Sequence, residues 1–166
     1  MEKQRLSVVC LGGTFDRLHL GHEAMLLKAF EVGNRVVIGV SSDAFVESMN
    51  KKHRIQTYAE RVEAIRRFLR ERGLLDRAVF VPLNDPYGPA VTDGEIEGIV
   101  VSDETEPRTK EINEIREEKG LKSLKVFRVA MVLAEDGKRI SSTRIRLGEI
   151  DREGRTTAKK SRREGG

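Results

Sequence analysis

Residues 6–22, which read LSVVCLGGTFDRLHLGH, decide the fold of this chain. Their first part, residues 6–11, holds Val8, Val9 and Cys10 in succession, as expected of a parallel strand that is covered on both faces. The run breaks at Gly12-Gly13, and a pattern with one apolar helical face begins near Gly21-His22. The sequence therefore predicts a buried strand, a glycine loop and a helix in immediate succession.

Strand and helix patterns alternate along the rest of the chain. Short β-branched runs predict four further strands, at residues 36–40, 78–83, 99–102 and 125–132. Helical periodicity and end signals predict helices at residues 21–32, 57–72, 106–119 and 141–150. Residues 41–56 are a polar stretch, and residues 84–94 form a rigid loop with proline and glycine. We expect an α/β fold, a Rossmann-like doubly wound parallel sheet of about five strands in a single domain.

The charge of the chain is divided unevenly. Its 166 residues include 31 Lys+Arg and 27 Asp+Glu, a formal net charge of +4. Six basic and three acidic residues fall within residues 151–166, so this tail holds +3 and residues 1–150 hold only +1. No nucleic-acid partner is therefore expected for the domain itself. We expect a folded domain over residues 1–150 and a basic, disordered tail over residues 151–166, which lack apolar periodicity.

Cysteine content and hydropathy exclude two further classes of protein. Cys10 has no second cysteine with which to form an internal disulfide. No apolar run approaches the ~18 residues of a membrane span, and the first residues lack the core of a signal peptide. A disulfide-rich secreted protein and a membrane-spanning protein are both excluded. We expect a cytoplasmic protein with no membrane partner.

Two histidines stand where the first strand meets the first helix. Glycines after a buried strand let the backbone approach a ligand closely, and the helix N-terminus that follows attracts phosphate. His19 and His22 lie at that helix start, where both can donate to phosphate oxygens. A zinc site is not expected, because no cysteine or third histidine stands nearby. The alternative is structural: the glycines form a tight turn and the histidines cap the helix.

A second polar cluster opens the last predicted helix. Ser141, Ser142 and Thr143 are followed by Arg144 and Arg146, which places hydroxyl, backbone N–H and guanidinium groups at one helix start. Such a cluster suits a second anion site. The alternative is that the Ser-Ser-Thr string is only an N-cap.

Together the two clusters resemble a known family. Residues 12–22 resemble the signature of the nucleotidyltransferase superfamily with the HxGH motif. Residues 140–146, ISSTRIR, resemble the string with which its adenylyltransferases hold the β- and γ-phosphates of ATP. Further stretches resemble the phosphopantetheine adenylyltransferases of archaeal and eukaryotic type, at residues 57–61, 87–89, 101–105, 112–116 and 136–146. The resemblance covers about residues 6–152.

This resemblance implies an adenylyl transfer from ATP to 4′-phosphopantetheine by direct in-line attack, with Mg²⁺ held mainly by the ATP phosphates. It assigns transition-state roles to His22 and Thr14, and it gives Lys51 or Lys52 the role of the cation that meets the phosphopantetheine phosphate. The residues that it implies contact ATP are Gly13, Phe15, His19, Gly21, Ser141, Ser142, Thr143 and Arg146. No protein residue is assigned as a direct metal ligand.

Some assignments stay open. Asp16 either touches the metal indirectly or braces the glycine loop, of which the second is favoured. Arg108 and Arg116 either reach ATP or lie on a solvated helix face, and the solvated face is favoured. For the whole chain the alternatives are another nucleotidyltransferase, such as an FAD synthetase or cytidylyltransferase, and a nucleic-acid-binding protein that acts through its basic tail. The oligomeric state and the adenine contacts are left open.

Overall fold

Five strands form the centre of the molecule. The computed structural model describes residues 4–49, 54–130, 132–138 and 140–156. Its strands are β1 Leu6–Gly13, β2 Gly33–Ser41, β3 Ala78–Leu83, β4 Gly98–Ser102 and β5 Lys125–Val129. They form one parallel sheet in the order β3-β2-β1-β4-β5. Each predicted strand is confirmed, although β5 ends before the predicted residue 132.

The helices lie between and after the strands. They are α1 Leu20–Val32, α2 Asp43–Ser48, α3 Tyr58–Glu71, α4 Glu106–Glu118 and α5 Ser142–Arg146. The four predicted helices form, but α5 ends at Arg146 and not at residue 150. The sequence did not predict α2, which lies in the polar stretch 41–56 and buries only Val46. Among the described residues, no helix has the length and apolar character needed to cross a membrane.

Apolar side chains cover both faces of the sheet, which explains the uninterrupted apolar run in β1. On one face, Val9 and Leu11 pack with the buried sides of α1 and α3. On the other face, Cys10 packs with Ile99 of β4 and Ile112 of α4. This alternation confirms the predicted doubly wound α/β fold.

The junction between α1 and β2 has no loop, because Gly33 is both the C-cap of α1 and the first residue of β2. Its backbone is extended, at φ −125°. A Cβ atom at this position would lie 2.5 Å from a methyl carbon of Val9 on the neighbouring strand. Glycine is therefore required here for close packing and not for a left-handed turn.

Residues 151–156, which composition assigned to a disordered tail, are hydrogen-bonded to the domain. The Leu20 N–H donates to the Arg152 carbonyl at 3.1 Å, and the Glu135 N–H donates to the Gly154 carbonyl at 2.6 Å. The reason is a local turn: the Asp151 carboxylate accepts two backbone N–H bonds, and Gly154 takes a left-handed φ of 81°. Residues 157–166 lie outside the described part of the chain.

The strand order creates a crevice at the carboxyl ends of β1 and β4. From β1 the chain passes to β2 and β3 on one side of the sheet, and it returns to β4 and β5 on the other side. Connections that diverge in this way leave a gap between adjacent strands, and open parallel sheets bind ligands there. The glycine pair at the end of β1 lies at this gap.

Candidate active site

The loop between β1 and α1, residues 14–19, has an unusual backbone. Phe15 at φ 57° and Arg17 at φ 48° are the only described residues other than glycine that adopt the left-handed conformation. Each such residue costs roughly 1–3 kcal/mol. The loop therefore depends on its surroundings to keep this shape.

Asp16, between these two residues, anchors the loop. Its carboxylate is buried and accepts from the backbone N–H of Gln56 at 2.9 Å. It also accepts from the guanidinium groups of Arg17 at 2.7 Å and of Arg146 at 3.2 Å. These contacts agree with the interpretation of Asp16 as a brace of the glycine loop.

The two histidines cap α1 and stack on each other. His19 is the N-cap: its Nδ1 accepts from the Gly21 N–H at 3.0 Å, while the His19 N–H donates to Nδ1 of His22 at 3.3 Å. The ring centroids are 3.8 Å apart. A Cβ on Gly21 would lie 2.8 Å from the His19 ring. The glycine between the histidines is therefore needed because the His19 ring folds back over it.

His22 is held as a neutral hydrogen-bond donor. Burial, and to a lesser extent the neighbouring His19, lowers the pKa of His22 from 6.5 to about 3. Since Nδ1 accepts a backbone hydrogen bond, the proton of the neutral ring is on Nε2. The predicted structural role and the predicted donor role are thus compatible, because each uses a different ring nitrogen.

The hydroxyl cluster at the start of α5 lies against the same loop. Ser141 Oγ accepts from the Arg144 N–H at 3.2 Å, so Ser141 is the N-cap that the alternative interpretation required. Ser142 Oγ donates to the backbone carbonyl of Asp16. This bond joins the two motifs, which are more than 120 residues apart in sequence.

The arginines of this cluster are held by carboxylates. Arg144 forms ion pairs with Asp136 and Glu149. Arg146 pairs with Asp16 and also donates to the Thr143 hydroxyl at 3.1 Å. In this arrangement both guanidinium groups hold α5 in place.

Two cavities meet at the carboxyl ends of β1 and β4. The first, which we call the histidine cavity, has a volume of about 580 Å³. The predicted residues that line it are Gly13, His19, Gly21, His22, Ser141, Ser142 and Thr143. Four of these come from one end of the chain and Ser141–Thr143 from the other, so the fold brings the two predicted motifs to one space.

The second cavity, which we call the apolar cavity, has a volume of about 530 Å³. Most of its lining is apolar and includes Phe45, Leu83, Ile99, Val101 and Ile112, and its polar lining includes Thr14, Ser41, Tyr87 and Arg108. Gly12, Gly13, Glu104 and Thr105 line both cavities. The two cavities are therefore neighbours that meet at the glycine pair.

Comparison with known proteins places the chain in a family. Residues 10–148 match the cytidylyltransferase-like family model. The curated phosphopantetheine adenylyltransferase of Methanopyrus kandleri is 50% identical over 147 residues, which cover 89% of this chain and 92% of the relative. That of Methanothermobacter thermautotrophicus is 48% identical over 149 residues, with 90% and 88% covered. The chain belongs to the phosphopantetheine adenylyltransferase family. The resemblance to this family, which rests on residues 12–22 and 140–146 together with the further stretches between residues 57 and 146, is thereby confirmed.

A solved structure shares the fold of this family member. A protein of unknown function from Archaeoglobus fulgidus is 33% identical, with a TM-score of 0.65, and the match covers 74% of this chain and 88% of that one. This similarity agrees with the single parallel sheet described above.

Some residues that the family resemblance implied are not found among the residues that line the cavities. Lys51 and Lys52 lie outside the described residues. The side chain of Phe15 is buried in the main core, 5.3 Å from the His22 ring, and lines neither cavity. The left-handed backbone of Phe15 turns its ring inward, where it supports His22.

The favoured interpretation of Arg116 as part of a solvated helix face is wrong. Arg116 is 1% exposed and donates to four backbone carbonyls, those of Ala90, Asp93, Ile96 and Lys122. It lies one turn after the buried Ile112 and so on the inner face of α4. Arg108 is exposed and lines the apolar cavity.

Sequence reasoning also missed Arg61, which is fully buried behind the glycine loop. The signal was present, because Arg61 precedes Ile65 by four residues and Phe68 by seven, which places it on the apolar face of α3. Because arginine is rarely buried without partners, the position of Arg61 on that face was not taken as a sign of burial.

Cys10 lines the apolar cavity as an uncharged thiol. Burial raises the pKa of Cys10 to about 12. Since the thiolate is the reactive form, Cys10 acts here as a small apolar side chain and not as a nucleophile.

Proposed function

We propose that this protein transfers the adenylyl group of ATP to 4′-phosphopantetheine, with dephospho-coenzyme A and pyrophosphate as products. One observation carries the proposal: two cavities of different chemistry meet at Gly12-Gly13. A reaction between two phosphates needs both reactants side by side, and most of its catalysis can come from their alignment. Relatives that are 50% and 48% identical carry the name phosphopantetheine adenylyltransferase.

In this proposal the triphosphate of ATP lies in the histidine cavity. The N-terminus of the 13-residue helix α1 opens onto it and attracts negative charge. His19, Gly21 and the hydroxyl residues Ser141–Thr143 line the path of the phosphates. Arg146 acts indirectly, because it donates a hydrogen bond to the Thr143 hydroxyl and forms an ion pair with Asp16.

The pantetheine arm lies in the apolar cavity. Its chain of methylene and amide groups suits a mainly apolar space with a few polar groups. Thr14 and Ser41 line the end of this cavity near the glycine pair, where the phosphate of the arm would meet ATP. We assign Lys51 or Lys52 to that phosphate as its cation.

The chemistry requires no covalent intermediate with the protein. A phosphate oxygen of phosphopantetheine attacks the α-phosphorus of ATP, the bond to the bridging oxygen breaks, and pyrophosphate leaves with the electron pair. His22 donates its Nε2 proton as a hydrogen bond to an α-phosphoryl oxygen, and the Thr14 hydroxyl donates to the incoming or the α-phosphate. Donors fixed in advance where charge develops lower the barrier.

Mg²⁺ is the cofactor in this proposal, and it binds to the ATP phosphates and water. It neutralises charge on the triphosphate when bound. Among the described residues, no cluster of three or more His, Cys, Asp or Glu side chains is placed to hold a metal ion. We place the reaction in the cytoplasm.

A substrate panel tests the proposal. Phosphopantetheine, FMN and glycerol phosphate would each be supplied with ATP and with CTP, and pyrophosphate release and product mass would be measured. We expect only ATP with phosphopantetheine to give rapid turnover, with dephospho-coenzyme A as product. The His22→Ala protein, purified in parallel, controls for contaminating enzymes. Formation of FAD or of a cytidylyl product in place of dephospho-coenzyme A would overturn the proposal.

A further inference from the structure

Arg61 joins the glycine loop to the chain segments behind it. Its guanidinium Nη1 donates to the Thr14 carbonyl at 2.8 Å and to the Ser41 carbonyl at 2.7 Å, and Nε donates to the Gln56 carbonyl at 2.9 Å. Nη2 forms an ion pair with Asp43 at 3.1 Å. One fully buried side chain thus fixes the end of β2, the start of α2 and the loop that carries the HxGH motif.

Gln56 extends this connection to the far side of the loop. Its side-chain oxygen accepts from the Arg17 N–H at 2.9 Å, and its own N–H donates to Asp16 at 2.9 Å. Gln56 therefore binds Arg17, one of the two left-handed residues, directly. Arg61 binds Thr14, the residue just before the other one, Phe15.

These contacts act on the geometry of the site and not only on the fold. The loop sets the separation between Thr14, which lines the apolar cavity, and His22, which lines the histidine cavity. Its strained backbone would relax without a fixed partner on each side. A lysine could not replace Arg61, because a single ammonium group cannot match the planar fork that reaches three carbonyls and a carboxylate.

We propose that Arg61 and Gln56 are positioning residues for nucleotidyl transfer: they hold the loop in the shape that aligns the two phosphates. This inference rests on the proposed function for its kinetic consequences. Neither side chain touches either substrate in the proposal. Their loss should therefore lower kcat much more than it raises KM for ATP.

Arg77 provides a matched control at the opposite end of the sheet. Its guanidinium donates to the carbonyls of Phe30, Gly33 and Asn34 at 2.7–2.8 Å. These carbonyls lie at the end of α1 and the amino end of β2, whereas the cavities lie at the carboxyl ends of the strands. Arg77 therefore makes the same kind of bonds without contact with the glycine loop.

The test compares Arg61→Lys with Arg77→Lys in the full chain. Both variants should unfold at a lower temperature than the wild type. Arg61→Lys should lower kcat per folded enzyme about 10- to 100-fold, the effect of a misplacement of about 1 Å, with KM for ATP within a few-fold. Arg77→Lys should keep kcat within about twofold. A kcat of Arg61→Lys within twofold of the wild type would overturn the proposal.

Gln56 variants keep the test decisive if Arg61→Lys does not fold. Gln56→Ala removes the acceptor for the Arg17 N–H, whereas Gln56→Glu retains one. The alanine variant should lose at least about tenfold in kcat and the glutamate variant should recover most of it. Equal kcat for Gln56→Ala and the wild type would contradict the positioning role.

Amide hydrogen exchange separates this proposal from the proposed function. In whichever of Arg61→Lys and Gln56→Ala folds, the amides of residues 14–17 should exchange at least about tenfold faster than in the wild type, and in Arg77→Lys they should not. This result needs no substrate. If the wild type fails to make dephospho-coenzyme A, only the proposed function fails, and kcat is then measured with the pair that the substrate panel identifies. Unchanged exchange at residues 14–17 overturns the positioning role in either case.

Discussion

At the scale of single residues, the two histidine rings of the HxGH motif both cap the helix and supply a hydrogen-bond donor to the cavity. The first turn of a helix leaves backbone N–H groups without intrahelical partners, and the Nδ1 atoms of the histidines accept from two N–H groups at the start of α1, those of His19 and Gly21. The same bonds fix the tautomer of the neutral His22 ring, so that Nε2 carries the proton. A lysine or a charged histidine would hold ATP more strongly in the ground state. In the proposed mechanism, this neutral donor contributes most where charge grows during the reaction.

Removal of that donor should affect turnover more than binding. His22→Ala should lower kcat by about 10²–10³, as for the loss of one transition-state donor, and leave the affinity for ATP within a few-fold. Steady-state kinetics and ATP titration measure the two quantities. Leu27→Ala on the exposed side of the same helix is the control and should keep wild-type kcat, because Leu27 is 42% exposed. Near wild-type turnover in His22→Ala would contradict the assignment of His22 as a transition-state donor.

The burial of Arg61 and Arg116 could not be predicted from the sequence. The motif residues could be read from the sequence, because their spacing is set by local geometry around one helix start. A buried arginine depends on carbonyls that come from distant segments, such as Thr14 and Ser41 for Arg61. Both arginines lie at helical spacing from buried apolar residues, but the sequence could not supply their carbonyl partners, so their burial was not predicted.

At the scale of elements, strands were predicted better than short helices. The strand runs are rich in apolar and β-branched residues, and the three central strands β1, β2 and β4 are largely buried, so short apolar runs identify them. α2 and α5 have only six and five residues, too short to show a period. Each depends instead on a serine cap, Ser42 or Ser141. Each start is also tied to a distant segment, by the Ser42 N–H to the Leu83 carbonyl and by the Ser142 hydroxyl to the Asp16 carbonyl.

The contact between β1 and β2 gives a prediction for stability. Gly33→Ala would place a methyl group 2.5 Å from Val9, and overpacking of this kind costs about 1–3 kcal/mol. Urea denaturation should show a lower free energy of unfolding. kcat should be unchanged, because Gly33 lies at the end of the sheet away from the cavities.

Gly94→Ala is the matched control for this substitution. Its Cβ would meet only Leu121, at an ordinary 3.4 Å, and Gly94 is exposed. The free energy of unfolding should stay within about 0.5 kcal/mol of the wild-type value. An equal loss in both variants would show that the contact between Gly33 and Val9 is not the cause.

At the scale of the whole molecule, the active site depends on both ends of the domain. The small cluster of Ala134, Ile140 and Ile150 packs against Leu20 at the start of α1. Residues 151–156 then bind back to Leu20 and Glu135. This segment holds the hydroxyl cluster against the histidines. All of the +3 charge of residues 151–166 lies beyond it, because residues 151–156 contain two acidic and two basic residues.

Two truncations separate the structural part of the tail from its basic part. A chain that ends at Thr156 keeps every contact described here and should retain the melting temperature, kcat and KM for ATP. A chain that ends at Ile150 loses the hydrogen bonds of Arg152, Gly154 and Thr156, at about 0.5–1.5 kcal/mol each, and should melt earlier and bind ATP more weakly. Thermal melts and ATP titration measure these effects.

A titration with labelled duplex DNA at two salt concentrations addresses the alternative function: we expect no tight, salt-dependent binding by the full chain. If such binding appeared and vanished on truncation at Thr156, a nucleic-acid role for the basic segment would be favoured.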